Sequence, residues 1–268
     1  MKKNILVTGA SSGFGLSLAN ELHNKGYNVI GTSREPEKAK LPVPFKMLKL
    51  DITDSNSIKS FGKKLFVEIE RLDVLINNAG FYLSGIAEET TIEQGRQQLD
   101  TNFWGTVVLT NEMLPHFRKQ RSGKIITVGS IAGLISLPGG SYYAASKHAL
   151  EGYFRALRFE LNEFNVKVSI VEPVGFKTNI VTNSIAANNK IADYDRYRTK
   201  LEDYTKDLFS KSEEPDAVVK TLLRLVENEN PTFNHPVGKG SSLFPALQYF
   251  SFKTFENAII KNINKFKK

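Results

Sequence analysis

The chain of 268 residues contains no cysteine and only four histidines. Without cysteine it can form neither disulfides nor thiolate metal sites, which fits a reducing compartment. The histidines do not pair at the spacing of metal ligands, so we expect no metal centre. No apolar run reaches the ~18 residues that a membrane-spanning helix needs, and no charged leader precedes an apolar stretch. These features predict a cytoplasmic protein without a transmembrane segment.

The charge balance is basic, with a formal net charge of +8 at pH 7. A basic chain can bind nucleic acid, but here the basic residues are dispersed and no DNA-binding motif is present. A positive field would also attract an anionic dinucleotide. Part of the excess lies at the end of the chain, in Lys261, Lys265, Lys267 and Lys268. We therefore expect a dinucleotide and no nucleic acid as a partner.

Short apolar runs with the character of strands alternate with longer segments of helical period. This alternation predicts a parallel sheet, and right-handed crossovers place helices on both of its faces. We predict an α/β fold: a single Rossmann-type, doubly wound parallel sheet. The predicted strands are residues 5–8, 27–33, 45–50, 74–77, 124–129 and 166–172, and the predicted helices include 92–120 and 143–164.

The first predicted strand leads into the glycine-rich run GASSGFG at residues 9–15 and then into a helical pattern. Strand, glycine turn and helix in this order are typical of a dinucleotide-binding βαβ unit. Gly9 permits the tight turn, Gly13 lets the backbone approach a pyrophosphate, and Gly15 allows the helix to pack closely on the strand. The helix N-terminus then offers free N–H groups and a partial positive charge to the phosphates.

Tyr143 and Lys147 stand four residues apart in a predicted helix, and Ser130 ends a predicted strand upstream. Residues i and i+4 share one helix face, so the lysine cation would lie near the phenol and lower its pKa from about 10. A phenol tuned in this way can donate and accept protons near neutral pH. Each residue alone is more often a solvated helix or turn residue, and it is their combination that favours catalysis.

Several motifs follow one another in a familiar order. They are Thr8-Gly9-x-x-x-Gly13-x-Gly15, Asn77-Asn78-Ala79-Gly80, Asn102, Ser130, Tyr143 and Lys147. From Lys3 to about Thr178 the chain resembles the short-chain dehydrogenase/reductase family, and in particular its steroid- and retinol-dehydrogenase-like branch. The resemblance implies that residues 1–268 form one dinucleotide-binding catalytic domain. It also implies hydride transfer between a nicotinamide and a carbonyl or secondary alcohol.

The resemblance assigns a role to each of four residues. Tyr143 would exchange a proton with the substrate oxygen, and Ser130 would donate a hydrogen bond to that oxygen. Lys147 would lower the pKa of Tyr143 and hydrogen-bond the nicotinamide ribose. Asn102 would hold a water that links Lys147 to solvent. A dinucleotide-sensing regulator without turnover is the alternative, and an intact set of Ser130, Tyr143 and Lys147 argues against it because a sensor needs no proton donor.

The second predicted strand ends at Arg34 without an acidic residue, and Glu35 follows. An arginine here can bind a ribose 2′-phosphate, and Ser12 can add a hydrogen bond, so we expect NADP(H). Glu35 keeps an NAD-preferring enzyme open as the alternative. The resemblance extends the expected cofactor contacts to Ser11, Phe14, Asp51, Ile52, Asn77, Ala79, Gly80, Tyr143, Lys147, Pro173, Val174, Gly175 and Thr178.

The last third of the chain carries no recognised motif. The apolar loop around Leu137 suggests an apolar small-molecule carbonyl or alcohol as substrate. Residues 179–212 are polar with a helical pattern, and we expect a substrate lid there. In the tail, residues 243–268, apolar side chains recur at helical spacing. That tail would pack on the core or a neighbouring subunit, or alternatively would contact a membrane or cap the pocket. By resemblance we expect a homodimer or homotetramer.

Overall fold

The structure, a computed structural model, describes residues 2–38, 42–176, 184–210 and 212–266. Its strands are β1 (Asn4–Val7), β2 (Asn28–Ser33), β3 (Lys46–Lys49), β4 (Val74–Asn77), β5 (Leu83–Ser84), β6 (Gly123–Val128), β7 (Val166–Pro173), β8 (Ile185–Ala186) and β9 (Asn234–Val237). Seven of them form one sheet in the order β3-β2-β1-β4-β6-β7-β9. Every neighbouring pair in it runs parallel. The predicted Rossmann-type sheet is therefore confirmed.

Helices cover both faces of the sheet. They are α1 (Gly13–Asn24), α2 (Ser55–Glu68), α3 (Ile92–Leu99), α4 (Thr106–Gln120), α5 (Ser141–Glu160), α6 (Asp195–Ser210), α7 (Asp216–Glu227), α8 (Leu243–Phe250) and α9 (Phe252–Ile263). Within the described ranges, no helix is both long and apolar enough to cross a bilayer.

Two apolar clusters, one on each face, hold the helices to the sheet. Successive side chains of a strand point to opposite faces, so Leu6 joins the cluster with α2, α4 and α5, whereas Ile5 and Val7 join the cluster with α1 and α7. The same alternation separates Leu75 from Ile76 on the neighbouring strand. Because both faces are buried, β1 and β4 contain the uninterrupted apolar runs 5–7 and 74–76, which is why they could be recognised from sequence.

The helix predicted over residues 92–120 is continuous in the structure but contains a π-helical segment. Helix α3 ends at Leu99, residues Asp100–Gly105 form a π-helical segment, and α4 begins at Thr106. Wide turns of this kind are rare and often lie at functional sites. The predicted helix over 143–164 also ends earlier than expected, at Glu160, and a 3₁₀ turn at Asn162–Phe164 completes it.

The base of the predicted lid is tied to the body of the protein. Arg198 on α6 forms an ion pair with Glu89, and its Nε lies 2.9 Å from Glu89 Oε2. Glu89 is almost fully buried, and it also accepts a hydrogen bond from Ile191 N at 2.8 Å. Because the buried carboxylate and the guanidinium neutralise each other, the start of α6 is firmly placed. Residues 179–183 and 211 of the predicted lid lie outside the described residues.

Candidate active site

A cleft of about 1530 Å³ lies where the central strands end at their carboxyl edge. Its walls include residues that directly follow β1, β2, β4, β6 and β7. Ligands of open parallel sheets bind at this edge. The volume exceeds the ~300–1,000 Å³ of a site for one drug-sized ligand. The cleft therefore has room for a dinucleotide and a second molecule.

The glycine turn after β1 has the geometry that a phosphate cradle requires. Gly9 has a φ of +64°, a conformation in which L side chains are strained. A Cβ atom on Gly15 would lie 2.4 Å from the Gly9 carbonyl oxygen. The side chain of Asn78 fixes the turn by donating from Nδ2 to Thr8 O at 2.8 Å. Side chains at Gly9 or Gly15 would therefore distort the turn.

The groups that would face a phosphorylated cofactor are suited to an anion. Ser12 occupies the N-cap of α1 with no side-chain capping bond, and the first turn of α1 carries no acidic residue. Arg34 lines the same part of the cleft and is exposed. A helix N-terminus attracts phosphate through its unpaired N–H groups and its dipole. The residues present thus fit a nicotinamide dinucleotide.

Most of the predicted site residues line this cleft. Those that do are Gly9, Ser11, Ser12, Gly13, Phe14, Arg34, Asp51, Ile52, Ala79, Gly80, Ser130, Tyr143, Lys147, Pro173, Val174 and Gly175. Three others, Gly15, Asn77 and Asn102, lie beneath its surface. Thr178 lies outside the described residues.

Asn77 is buried and does not contact the cleft, so the expectation of a direct cofactor contact is wrong for this side chain. Its Nδ2 donates to Thr110 Oγ1 at 3.0 Å, between the sheet and α4. The next residue, Asn78, turns into the cleft and holds the glycine turn. The missed assignment follows from strand alternation, because adjacent residues at a strand end face opposite ways. The strict alternation of β4 could have revealed it.

Asn102 lies on the π-helical segment and supports the loop after β4. Its Oδ1 accepts from Phe81 N and its Nδ2 donates to Phe81 O, both at 3.0 Å. The same amide is 3.4 Å from Ser146 Oγ on α5. The side chain of Asn102 therefore links the loop after β4 to helix α5. Its predicted water link to Lys147 stays a prediction.

Asp51 precedes α2 and lies on the wall of the cleft. It does not cap α2, because Asp54 does so by accepting from Asn56 N at 2.8 Å. Asp51 instead accepts from Thr53 N at 2.9 Å, which fixes the turn after β3. This leaves Asp51 and Ile52 on the wall where the resemblance places an adenine.

Ser130, Tyr143 and Lys147 converge at the centre of the cleft. Ser130 follows β6, and its hydroxyl is close enough to the phenol of Tyr143 to lower the phenol pKa. The Nζ atom of Lys147 lies 5.7 Å from the centre of the Tyr143 ring and donates to Val128 O at 2.9 Å. Tyr82 packs edge-on against Tyr143 with ring centres 4.8 Å apart. The prediction that Tyr143 and Lys147 share one face of a helix is thus confirmed.

The electrostatics of this group differ from our expectation. Burial raises the pKa of Tyr143 to about 12, although the contact with Ser130 opposes the rise. Burial lowers the pKa of Lys147 to about 8, partly offset by Glu151. The sequence predicted a lowered Tyr143 pKa, and the structure has it raised, with burial as the largest cause and Tyr82 adding to the rise. At neutral pH the phenol is protonated.

Two buried carboxyls, Glu151 on the next turn of α5 and Glu172 on β7, lie close together. Glu151 and Glu172 share the amide of Asn234, whose Nδ2 is 3.2 Å from Glu151 Oε2. Glu172 also accepts from His235 N at 2.8 Å. Burial, and the proximity of Glu172, raise the pKa of Glu151 to about 8, and burial raises that of Glu172 to about 7. Sequence reasoning missed this pair because neither residue belongs to a motif.

The far end of the cleft is apolar and is built from the last third of the chain. Helix α6 contributes Tyr204 and Leu208, α8 contributes Leu247, and α9 contributes Phe255 and Ile259. Phe255 packs with Ile131 and Ile135 beside Ser130. The tail therefore packs on the core of its own chain and caps the pocket, which unites two of the expected alternatives.

Glu151→Gln tests the buried carboxyl pair. The raised folded pKa means that folded protein holds a proton which unfolded protein releases, so stability falls as pH rises from about 4.5 to about 8. Glutamine removes this loss, and each ~1 kcal/mol regained would raise the Tm by about 2–4 °C. Thermal melts should show the variant gaining on the wild type at alkaline pH and not at acid pH. Glu160→Gln, at an exposed position of the same helix, is the control. A pH-independent difference would contradict the assignment.

Comparison with known proteins agrees with the geometry. The family model described as short chain dehydrogenase matches residues 3–189. An uncharacterized oxidoreductase, YusZ of Bacillus subtilis, is 36% identical over 98% of this chain and 99% of its own length. A 3-ketodihydrosphingosine reductase of Bacteroides thetaiotaomicron is 38% identical over 87% of each chain.

A solved structure is similar in three dimensions. ElxO with NADP bound superposes with a TM-score of 0.76 and 28% identity, over 90% of this chain and 99% of that one. These matches cover the parallel sheet and the glycine turn. They also cover the part of the cleft that holds Ser130, Tyr143 and Lys147. The chain belongs to the short-chain dehydrogenase/reductase family of oxidoreductases, in its steroid- and retinol-dehydrogenase-like branch.

Proposed function

We propose that this protein is an NADP(H)-dependent reductase of apolar ketones or aldehydes. The observation that carries the proposal is the position of Tyr143, between the polar half of the cleft and its apolar half. A carbonyl carbon held there would lie between a bound nicotinamide and a protonated phenol. The same site can run in reverse on a secondary alcohol.

The mechanism follows from the groups around Tyr143. When bound, the dinucleotide supplies a hydride to the carbonyl carbon. Tyr143 donates its proton to the carbonyl oxygen, and Ser130 donates a hydrogen bond to the same oxygen as negative charge develops there. The Lys147 ammonium, held by Val128 O, stabilises the phenolate that remains. Solvent then returns a proton to Tyr143.

A protonated phenol favours the reductive direction. Reduction requires Tyr143 as an acid, whereas oxidation requires it as a base. Burial raises its pKa to about 12, which keeps it in the acidic form at neutral pH. The resting site therefore holds the proton that the reductive direction requires.

The substrate class follows from the apolar end of the cleft. Leu137, Leu208, Leu247, Phe255 and Ile259 provide a wall that would bury a hydrocarbon body next to the reacting carbon. The Bacteroides relative is named as a reductase of a keto compound. We infer a carbonyl compound with a substantial apolar chain or ring system.

Three further expectations belong to the proposal. Residues 179–212 act as a lid that closes over substrate, with its base anchored through Glu89 and Arg198. The protein is cytoplasmic. The active form is a homodimer or a homotetramer, as expected from family resemblance.

Replacing Tyr143 by phenylalanine tests the chemistry. Loss of the proton donor should lower kcat for reduction by between about a hundredfold and ten-thousandfold. Turnover of NADPH is measured against a panel of apolar ketones and aldehydes. Tyr142→Phe is the matched control, because it removes a neighbouring phenol that has no lysine four residues later. Wild-type turnover by Tyr143→Phe would refute the catalytic assignment. Binding of NADPH without turnover on any carbonyl would favour the regulator alternative.

Replacing Arg34 by alanine tests the cofactor. Loss of charge-assisted contacts to the 2′-phosphate should weaken NADPH binding roughly tenfold to a hundredfold and leave NADH binding nearly unchanged. Quenching of protein fluorescence follows both titrations. Glu35→Gln serves as the comparison, since it removes the neighbouring negative charge and should not weaken NADPH. Tighter binding of NADH than of NADPH by the wild type would show an NAD-preferring enzyme instead.

A further inference from the structure

Helix α8 (Leu243–Phe250) is apolar but buries none of its side chains. Its sequence, LFPALQYF, contains no charged residue. Leu243 is 66% exposed, Tyr249 84% and Phe250 83%. A helix that is apolar around its surface normally lies inside a protein or against another apolar phase. Leu247 packs against the core, whereas the apolar side chains of Leu243, Tyr249 and Phe250 are left exposed.

Helix α9 (Phe252–Ile263) shows that the tail is not simply displaced from the core. One side of α9 is anchored, because Phe255 and Ile263 are almost fully buried. Phe252 and Ile260 remain exposed beside it. We call the exposed group the tail patch: Leu243, Phe244, Tyr249, Phe250, Phe252 and Ile260. Large exposed apolar clusters of this kind mark interaction surfaces.

The charge around the tail patch indicates what covers it. Residues 238–268 hold six lysines and one acidic residue, so they carry +5 of the net +8. The acidic residue, Glu256, forms an ion pair with Lys253 at 2.8 Å. Aromatic side chains framed by lysines suit the surface of an anionic bilayer. A second copy of this chain would bring two +5 surfaces together, which like-charge repulsion disfavours.

The tail patch adjoins the apolar end of the active-site cleft. Phe244 belongs to the patch and lines the cleft, and Leu247 of the same helix lines it as well. Helices α8 and α9 have 8 and 12 residues, so each is too short to span a bilayer. Their geometry suits a helix pair that lies in the interface and borders the entrance for an apolar ligand.

We propose that the tail patch docks on the surface of an anionic phospholipid bilayer. Tyr249, Phe250 and Phe252 insert among the headgroups, while lysines of the tail contact lipid phosphates. Docking rests on the patch and its charge, and it holds whether or not the proposed reductase activity is correct.

Co-sedimentation of the full chain with vesicles tests this proposal. One set of vesicles is pure phosphatidylcholine, and the other is an equal mixture of phosphatidylcholine and phosphatidylglycerol. The wild type should sediment with the mixed vesicles, less with the neutral ones, and less at high salt because salt screens the lysines. The double variant Tyr249→Ser/Phe250→Ser should partition at least about tenfold more weakly, since each aromatic loses its apolar burial.

Two control variants test whether weaker vesicle binding is specific to the aromatic residues of the tail patch. Phe159→Ser removes an aromatic residue that is 78% exposed on α5, away from the tail, and should bind like the wild type. Lys253→Gln/Lys261→Gln leaves the aromatic residues in place and should weaken binding to the mixed vesicles alone. Thermal melts should show all three variants folded, because the replaced side chains are exposed.

Three outcomes would overturn the proposal. The first is a wild type that sediments with neither kind of vesicle. The second is a Tyr249→Ser/Phe250→Ser variant that sediments as well as the wild type. The third is a wild-type dimer in sedimentation velocity that this variant dissociates, which would assign the tail patch to a second copy of the chain.

Discussion

A buried hydrogen bond from the Lys147 ammonium to the carbonyl of Val128 connects the catalytic helix to the sheet. It joins α5 to the carboxyl end of β6, the strand that Ser130 follows. With this contact fixed, the helical repeat places Tyr143 one turn before Lys147 and Glu151 one turn after it. The hydrogen bond thus ties the helix that carries Tyr143, Lys147 and Glu151 to the strand that precedes Ser130.

Burial at the same junction shifts all three groups toward their neutral forms. The pKa of Tyr143 rises, that of Lys147 falls and that of Glu151 rises, with desolvation as the largest cause each time. A site of this kind keeps a protonated phenol beside a cation that can lose its charge only slightly above neutral pH. In the proposed reduction, a protonated phenol at this place is the group that would donate to the carbonyl oxygen.

Sequence predicted the parts of the structure whose signals are local. Continuous apolar strands, the glycine turn with Gly9 and Gly15, and the spacing of Tyr143 and Lys147 all reflect backbone periodicity or φ preference. Strand β9, with the sequence NHPV, was not predicted. It has no apolar alternation, and its strand conformation depends on pairing with β7.

Tertiary contacts decide the features that sequence could not reveal. The π-helical segment lies within one long helix, and it brings the side chain of Asn102 to the backbone of Phe81. The direction of the Tyr143 pKa shift depends on burial, which the spacing to Lys147 does not encode. The apolar walls from α6, α8 and α9 come from a region without motifs, where only packing shows which side chains reach the cleft.

The central claim is that burial keeps the Tyr143 phenol protonated at neutral pH. The most direct measurement is an ultraviolet pH titration of tyrosinate, taken as the difference between the wild type and Tyr143→Phe. The account predicts no ionisation of Tyr143 below the ordinary phenol pKa of about 10. A difference signal that develops near neutral pH would contradict it, because Lys147 would then dominate the site and the phenol would serve as a base.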